Sequence, residues 1–109
     1  MKKSIFERSE LAALTVANPL FDVTYIHTPN ITVAFNLLKQ GAEVPVHKHE
    51  HETIDYVEEG TLQMTIGSET HVLTRGMVAS VASYVTHSAV ALSDCKVINI
   101  FYPARNDFK

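Results

Sequence analysis

The amino-acid sequence predicts an all-β fold, an antiparallel sandwich or barrel, from three observations. Between Ile31 and Leu38 the residues alternate with a period of two, which is typical of a strand with one buried face. The four glycines lie between short apolar runs, where a turn uses the tolerance of glycine for positive φ. No stretch of about 10–15 residues between these runs has helical periodicity, so parallel strands joined by helices are excluded.

Nine candidate strands follow one another along the chain. They span residues 22–28, 31–38, 44–49, 53–58, 61–66, 70–74, 78–82, 87–92 and 95–102. The four prolines fall at the edges of these segments, where a missing amide hydrogen costs least. Only residues 6–16 have a spacing suited to a helix, and Thr15 and Val16 disfavour it, so we expect a short helix or an irregular arm there.

The composition fits one domain over residues 1–109, with an N-terminal arm over residues 1–20. Nine Lys and Arg stand against twelve Asp and Glu, and no basic cluster is larger than Lys2-Lys3, which excludes a nucleic-acid partner. No apolar run approaches the roughly 20 residues that cross a bilayer, so we expect no membrane partner. Charged residues from Glu7 to Glu10 interrupt any signal-peptide core, and Cys95 has no cysteine to pair with. We therefore expect a cytoplasmic protein.

Histidines carry the densest chemical signal in the sequence. His47 and His49 are two residues apart, so a strand would place both imidazoles on one face, at a spacing suited to one metal ion. A polar, solvated strand end is the alternative interpretation. His51 has the same parity but falls where the chain should turn, so we expect it at the mouth of the site. His87, forty residues after His47, is the natural third ligand.

Three neutral imidazoles favour a divalent transition metal over Mg or Ca. The expected cofactor is one ion of Zn, Ni, Fe, Cu or Mn, among which the sequence does not choose. His27 and His71 have no ligand-type residue at chelating spacing, so we interpret them as surface or hydrogen-bonded histidines.

The spacing of glycines and histidines resembles the two signature motifs of the cupin superfamily. In the first motif five residues separate a glycine from His-x-His, and ten more precede a second glycine; in the second motif ten residues separate a glycine from a histidine. The residues concerned are Gly41, His47, His49, Gly60, Gly76 and His87. The motifs cover residues 41–60 and 76–92, and the resemblance implies a jelly-roll barrel, the double-stranded β-helix, with the metal inside.

The chain departs from these motifs at three positions. Thr53 stands where the family commonly has a glutamate that is the fourth metal ligand, and a neutral hydroxyl is a poor ligand, so we expect water in that position. Glu52 is adjacent, but alternation points it to the opposite face. Ala82 and Tyr84 replace a usual proline and glycine, which affects a turn more than the chemistry.

Residues 103–108 read Pro-Ala-Arg-Asn-Asp-Phe and resemble the Pro-x-Arg-x-Asp-Phe ending of the small KdgF-like cupins of pectin degradation. Those proteins open the ring of 4,5-unsaturated uronates. The resemblance implies a metal on the three histidines and a sugar site that includes Phe101 and Arg105. It also implies an acidic proton-handling group at the position of Asn99. An amide cannot act as a general acid or base near neutral pH, so either another group moves the proton or the reaction is absent.

From the residues alone, Arg105 has two interpretations. A guanidinium holds a sugar carboxylate through a bidentate pair. The alternative is a surface ion pair with Asp107 or Asp94. Phe101 on the last strand is a core residue by default and a wall of a sugar site by resemblance.

Three functions follow from these patterns. The first is a metal-dependent enzyme acting on a small sugar acid, in which Arg105 anchors a carboxylate and His51 or a water relays a proton. The second is a binding module that holds a metal or a sugar without turnover, with Thr53 and Asn99 as signs of lost catalysis. The third is a cupin dioxygenase. In each case the partner is a small molecule. We also expect a homodimer, since the resemblance implies barrels that commonly pair through their outer sheets and the arm before Pro19 is apolar enough to cross onto a neighbouring copy.

Overall fold

The computed structural model describes residues 3–108 and confirms the all-β fold. Ten strands lie in the described part of the chain, preceded by a single 3-10 turn at Arg8–Glu10. The strands are β1 (Ala12–Leu14), β2 (Phe21–His27), β3 (Thr32–Leu38), β4 (Glu43–His47), β5 (Glu52–Glu59), β6 (Leu62–Ile66), β7 (Glu69–Leu73), β8 (Val78–Val81), β9 (His87–Ala91) and β10 (Cys95–Tyr102). Strands β2 to β10 correspond to the nine predicted segments, and their ends differ from the prediction by no more than two residues.

The N-terminal arm contains a strand that the sequence did not indicate. Strand β1 is three residues long, too short for alternation to be visible, and it pairs antiparallel with β2 of its own chain. The short helix expected within residues 6–16 is reduced to the 3-10 turn, in which the Glu7 N–H donates to the Glu10 carboxylate. In this structure the arm therefore lies on its own barrel.

The strands form two antiparallel sheets that pack face to face. One sheet has the order β1-β2-β3-β10-β5-β8 and the other β4-β9-β6-β7. Their inner faces share one apolar core, to which Leu38 and Val57 contribute from the first sheet and Leu62 and Met64 from the second. A smaller cluster around Tyr25 and Phe101 fills the end of the first sheet near the arm. Burial of this apolar surface is the main source of stability of such a barrel.

Two turn positions depend on a left-handed backbone. Gly60, between β5 and β6, has φ of +93°, and a Cβ there would collide with the Asp94 carbonyl and with Cys95. Glycine is therefore required at this position both by conformation and by space. Tyr84 has φ of +62°, at the position where the resemblance indicated a usual glycine, and the residue is 64% exposed. The tyrosine accepts a strained conformation that glycine would adopt freely.

In the part of the chain that the structure describes, no helix is suited to crossing a membrane.

Candidate functional site

A cavity of about 200 Å³ lies between the two sheets and reaches residues of both core clusters. Its apolar lining includes Phe21, Leu38, Val44, Leu62, Met64, Ala89, Val97, Phe101 and Phe108. Its polar lining consists of Asn36, His47, His49, Thr53, Asp55, His87, Ser88, Asn99 and Arg105. An apolar pocket with a few convergent polar groups is the usual form of a ligand site.

Three histidines, His47, His49 and His87, meet at this cavity. Each offers one ring nitrogen, and these nitrogens all lie within 4.8 Å of one another. The ring centres are 4.2 Å apart for His47 and His87, 4.9 Å for His49 and His87, and 5.3 Å for His47 and His49. Three imidazole nitrogens at this separation fit the ligand sphere of a single transition-metal ion.

Two strands and one loop bring the histidines together. His47 on β4 and His87 on β9 are register partners, so the sheet itself places their rings side by side. The predicted strand through residue 49 was wrong at its end: β4 stops at His47, and His49 lies in the following loop. The Tyr84 N–H donates to the His49 carbonyl oxygen over 2.8 Å, which holds this loop against the turn before β9.

The three rings share one orienting contact. The Nδ1 atoms of His47, His49 and His87 lie 2.8, 2.9 and 2.9 Å from the carbonyl oxygens of Pro45, His51 and Val85. A carbonyl oxygen only accepts, so each Nδ1 carries the proton and each Nε2 keeps its lone pair. This tautomer is the one that ligates a metal through Nε2, with the second nitrogen oriented by an outer partner. The donor set therefore fits a divalent metal.

The electrostatics of His49 favour the same state. Burial lowers the pKa of His49, and the nearby positive charge of Arg105 adds to this, while the contact with the His51 carbonyl opposes it. A lowered pKa keeps the imidazole neutral, and only the neutral form ligates a metal.

Thr53 lies in the cavity on β5 and is 3% exposed. Its Oγ1 is buried and has no hydrogen-bond partner among the described residues. An unpaired buried hydroxyl is unfavourable in an empty site, and a ligand or an ordered water would satisfy it. The expectation of a water in the fourth metal position, beside Thr53, stays a prediction.

Asp55 is a site residue that the sequence analysis missed. It follows Thr53 on the same face of β5, is 6% exposed, and is the register partner of Asn99 on β10. The Asn99 Nδ2 donates to the Asp55 Oδ1 over 2.6 Å. Burial raises the pKa of Asp55 to about 6, although the hydrogen bond from Asn99 and the proximity of His47 oppose the rise. Asp55 is two residues after Thr53, so on a strand both side chains lie on the same face, and this spacing would have predicted Asp55 as a site residue.

Arg105 packs against a pair of aromatic rings at the cavity, Phe101 and Phe108, whose ring centres are 5.6 Å apart. Its guanidinium carbon is 4.9 Å from the ring centre of Phe101 and 4.6 Å from that of Phe108, which are cation–π distances. The Nε and Nη2 atoms donate to the Asp107 carboxylate over 2.9 and 2.8 Å. The expected ion pair is thus formed with Asp107, and Asp94 instead accepts the Gln40 N–H. The Arg105 contact lowers the pKa of Asp107 to about 2.

The other histidines lie outside the cluster. The ring of His51 is 5.4 Å from that of His49 and 6.4 Å from that of Phe101, and its buried Nδ1 has no partner among the described residues. His51 does not line the cavity, and its role as a proton relay stays a prediction. His27 bonds to the Thr32 hydroxyl, and His71 contacts Glu69, as expected for histidines without a metal role.

The fold and the site define a class of protein: a small jelly-roll barrel whose interior carries a three-histidine cluster suited to a divalent metal. The family model of the cupin domain matches residues 35–101, and the chain belongs to this family. No curated protein matches the sequence.

Solved structures extend the comparison to the whole chain. KdgF from Halomonas sp. is similar over 97% of this chain and 98% of its own, with 29% identity and a TM-score of 0.88. An RmlC-like cupin from Shewanella frigidimarina covers 97% and 96%, with 24% identity and the same TM-score of 0.88. Salicylate 1,2-dioxygenase from Pseudaminobacter salicylatoxidans shares the fold at a TM-score of 0.74 and 20% identity, over 79% of this chain but only 27% of its own.

Proposed function

We propose that this cupin is a metal-dependent enzyme that opens the ring of a small unsaturated uronate. The observation that carries the proposal is the presence, at one cavity, of a three-histidine cluster and of an arginine packed against two aromatic rings. The similarity to KdgF from Halomonas sp., over 97% of this chain and 98% of that one, agrees with the resemblance of residues 103–108 to KdgF-like cupins, which implies this substrate class.

Arg105 retains the donors that a sugar carboxylate needs. A guanidinium has five N–H donors, of which Asp107 accepts two, so three remain on Nη1 and Nη2. With Asp107 on its Nε side, Arg105 can bind a carboxylate through its other edge. Phe101 and Phe108 contact each other edge to face, the guanidinium lies against both, and all three residues line the cavity. We propose these three residues as the carboxylate end of the substrate site.

The size of the cavity favours a small ligand. Its volume of about 200 Å³ is below the range of about 300–1,000 Å³ usual for drug-sized ligands, which favours one sugar ring over an oligosaccharide. A divalent metal on the three histidines would supply Lewis-acid polarisation of a substrate oxygen.

The test begins with elemental analysis of protein purified without an affinity tag. Chelator-stripped protein is then reloaded with Zn, Ni, Fe, Cu or Mn in turn, and the ultraviolet band of unsaturated galacturonate is followed. About one metal per chain and loss of the band faster than with stripped protein are expected. If the band disappears at the spontaneous rate with every metal, the proposed reaction is overturned.

Two further measurements distinguish the other functions. Saturable binding of uronates without turnover would identify a binding module. Oxygen consumption with phenolic substrates would identify a dioxygenase, a function for which the shared fold with salicylate 1,2-dioxygenase is the only support at 20% identity.

We also propose a homodimer that forms through the outer face of the larger sheet. Large apolar side chains are exposed side by side on β5, β8 and β10, where Ile54 is opposite Ile100 and Tyr56 is opposite Val78. An exposed apolar patch across three strands is typical of an interface. The arm, which pairs with β2 of its own chain, is not needed for this contact. The buried, unpaired thiol of Cys95 supports a reducing compartment, and we propose the cytoplasm.

A further inference from the structure

The cavity contains one group that can take up and return a proton, and the proposed reaction needs one. Among the described residues that line the cavity, Asp55 carries the only carboxyl. The three histidines have their Nδ1 protons held by backbone carbonyls, and their Nε2 atoms would ligate a metal when one is bound. A guanidinium is not deprotonated in proteins, so an arginine side chain does not exchange a proton with a substrate. Asp55 is therefore the candidate that remains.

A hydrogen-bond chain fixes the orientation of this carboxyl. The chain begins at the Val97 carbonyl oxygen, which can only accept, and the Asn36 Nδ2 donates to it over 3.0 Å. The second proton of the same Nδ2 goes to the Asn99 Oδ1 over 2.6 Å. Asn99 must then present its Nδ2, a donor, to Asp55. The donor and acceptor at each step of this hydrogen-bond chain thus follow from one backbone carbonyl.

This direction distinguishes the two oxygens of Asp55. Oδ1 accepts from Asn99, so it cannot carry a proton on that side. Oδ2 has no hydrogen-bond partner among the described residues, and any exchangeable proton of the carboxyl is located there. The amide of Asn99 holds the group in place and leaves one oxygen free for a substrate hydroxyl.

We propose that Asp55 is the acid–base residue of the ring opening, and that Asn99 and Asn36 position it. Asp55 Oδ2 accepts the proton of the anomeric hydroxyl, the bond between the anomeric carbon and the ring oxygen breaks, and an aldehyde forms. The electron pair of that bond remains on the ring oxygen as an enolate. The proton then passes from Asp55 to the vinylic carbon, the enolate becomes a ketone, and the carboxylate is regenerated with no net gain or loss of protons. This inference rests on the proposed function.

The first test is Asp55→Asn in the metal-loaded protein. The introduced amide oxygen still accepts from Asn99, so packing and the hydrogen-bond chain are retained while proton transfer is lost. We expect kcat to fall by about 100-fold or more, with metal content unchanged and the calorimetric affinity for saturated galacturonate unchanged within about threefold. Asp22→Asn, at an exposed carboxyl on β2, is the matched control and should keep full activity.

A double variant tests the role by relocation. Asp55→Asn combined with Asn99→Asp moves the carboxyl to the register partner on β10, and the direction of the hydrogen bond between the two side chains reverses. We expect the kcat of the double variant to be at least about tenfold higher than that of Asp55→Asn alone. If the single variant does not fold, Asp55→Ala with added formate replaces it, and rescue by formate is expected.

The outcomes separate the two proposals. A wild-type protein that gives no turnover of unsaturated galacturonate with any metal overturns the proposed function, and the role of Asp55 with it. An active wild type with an equally active Asp55→Asn variant overturns the role of Asp55 alone. A variant that loses affinity for saturated galacturonate but keeps kcat would make Asp55 a binding residue instead.

Discussion

Asp55 and Asn99 lie directly opposite each other on β5 and β10, and the Asn99 amide donates to the Asp55 carboxylate over 2.6 Å. The pair joins two neighbouring strands of the larger sheet, and both residues line the cavity at which the histidine cluster lies. A buried carboxyl with one hydrogen bond is kept at the expense of stability, because burial disfavours its charged form. Such groups are more common at functional sites than in plain cores.

The stability of metal-stripped protein should depend on pH through Asp55. The pKa of this carboxyl is about 6 in the folded chain, against about 3.9 in an unfolded one, so between these values the folded state binds more protons. The free energy of unfolding therefore falls as the pH rises from about 4 to about 7, by on the order of 3 kcal/mol from this group.

Asp55→Asn removes this ionisation and isolates its effect. Relative to wild type, the variant should gain stability between pH 4 and pH 7 in urea denaturation, since the titration of His49 is common to both proteins and cancels. Asp22→Asn should show no pH-dependent difference. Parallel stability curves for wild type and Asp55→Asn would contradict the raised pKa.

Gly60→Ala should destabilise the fold far more than Gly67→Ala. Both glycines have positive φ, but a Cβ at Gly60 would collide with the backbone of Asp94 and Cys95, whereas a Cβ at Gly67 meets nothing within 4 Å. We expect a loss of about 3 kcal/mol or more at Gly60 and about 1 kcal/mol at Gly67. Chemical denaturation of the two variants measures the difference, and equal losses would show that only the backbone angle matters.

His47→Ala together with His49→Ala should abolish metal binding and leave most of the fold intact. The apolar core around Val57 and Leu62, not the ion, is expected to stabilise the barrel. Elemental analysis and thermal melting of stripped protein are the two measurements. His71→Ala, at an exposed histidine next to Glu69, is the control and should bind metal normally. Wholesale unfolding of the double variant would make the metal structural.

Arg105→Lys should raise KM for an unsaturated uronate by on the order of tenfold with a smaller effect on kcat, since an ammonium cannot form the bidentate pair. Asp107→Asn should raise KM less, by about threefold, because it loosens the guanidinium without removing it. Steady-state kinetics measure both, and Arg75→Lys is the control on an exposed arginine. An unchanged KM for Arg105→Lys would place the carboxylate elsewhere.

Ile100→Glu should convert the proposed homodimer into a monomer, because it places a charge in the centre of the apolar face on β5, β8 and β10. Sedimentation at micromolar concentration measures the mass of wild type and variant. Val72→Glu, at an exposed valine of the smaller sheet, should leave the dimer intact. A monomeric wild type would refute the homodimer.

The strand pattern was predictable where strands alternate between buried and exposed residues, as β5 and β8 do. Alternation and turn glycines located β2 to β10, whereas β1, with only three residues, left no periodic trace. The spacing of His47, His49 and His87 predicted the cluster, but for His49 the reasoning was incomplete, since a loop held by Tyr84 and not strand alternation positions its ring.

The contacts across strands were not predictable in the same way. Asp55 lay on the predicted inner face of its strand, but its pairing with Asn99 depends on the register of β5 against β10, which no local pattern reports. The choice of Asp107 over Asp94 as the partner of Arg105 likewise depends on the path of the chain after β10.

The three orienting contacts of the histidines all end on main-chain oxygens, at Pro45, His51 and Val85. A main-chain carbonyl is the same in every amino acid, so side-chain replacement at these three positions leaves the acceptors in place as long as the backbone keeps its course. The orientation of the three histidine rings therefore does not depend on which side chains are present at these three positions. Side-chain changes around the cluster can therefore alter which ligand the cavity accepts while the acceptors that orient the three histidines stay in place.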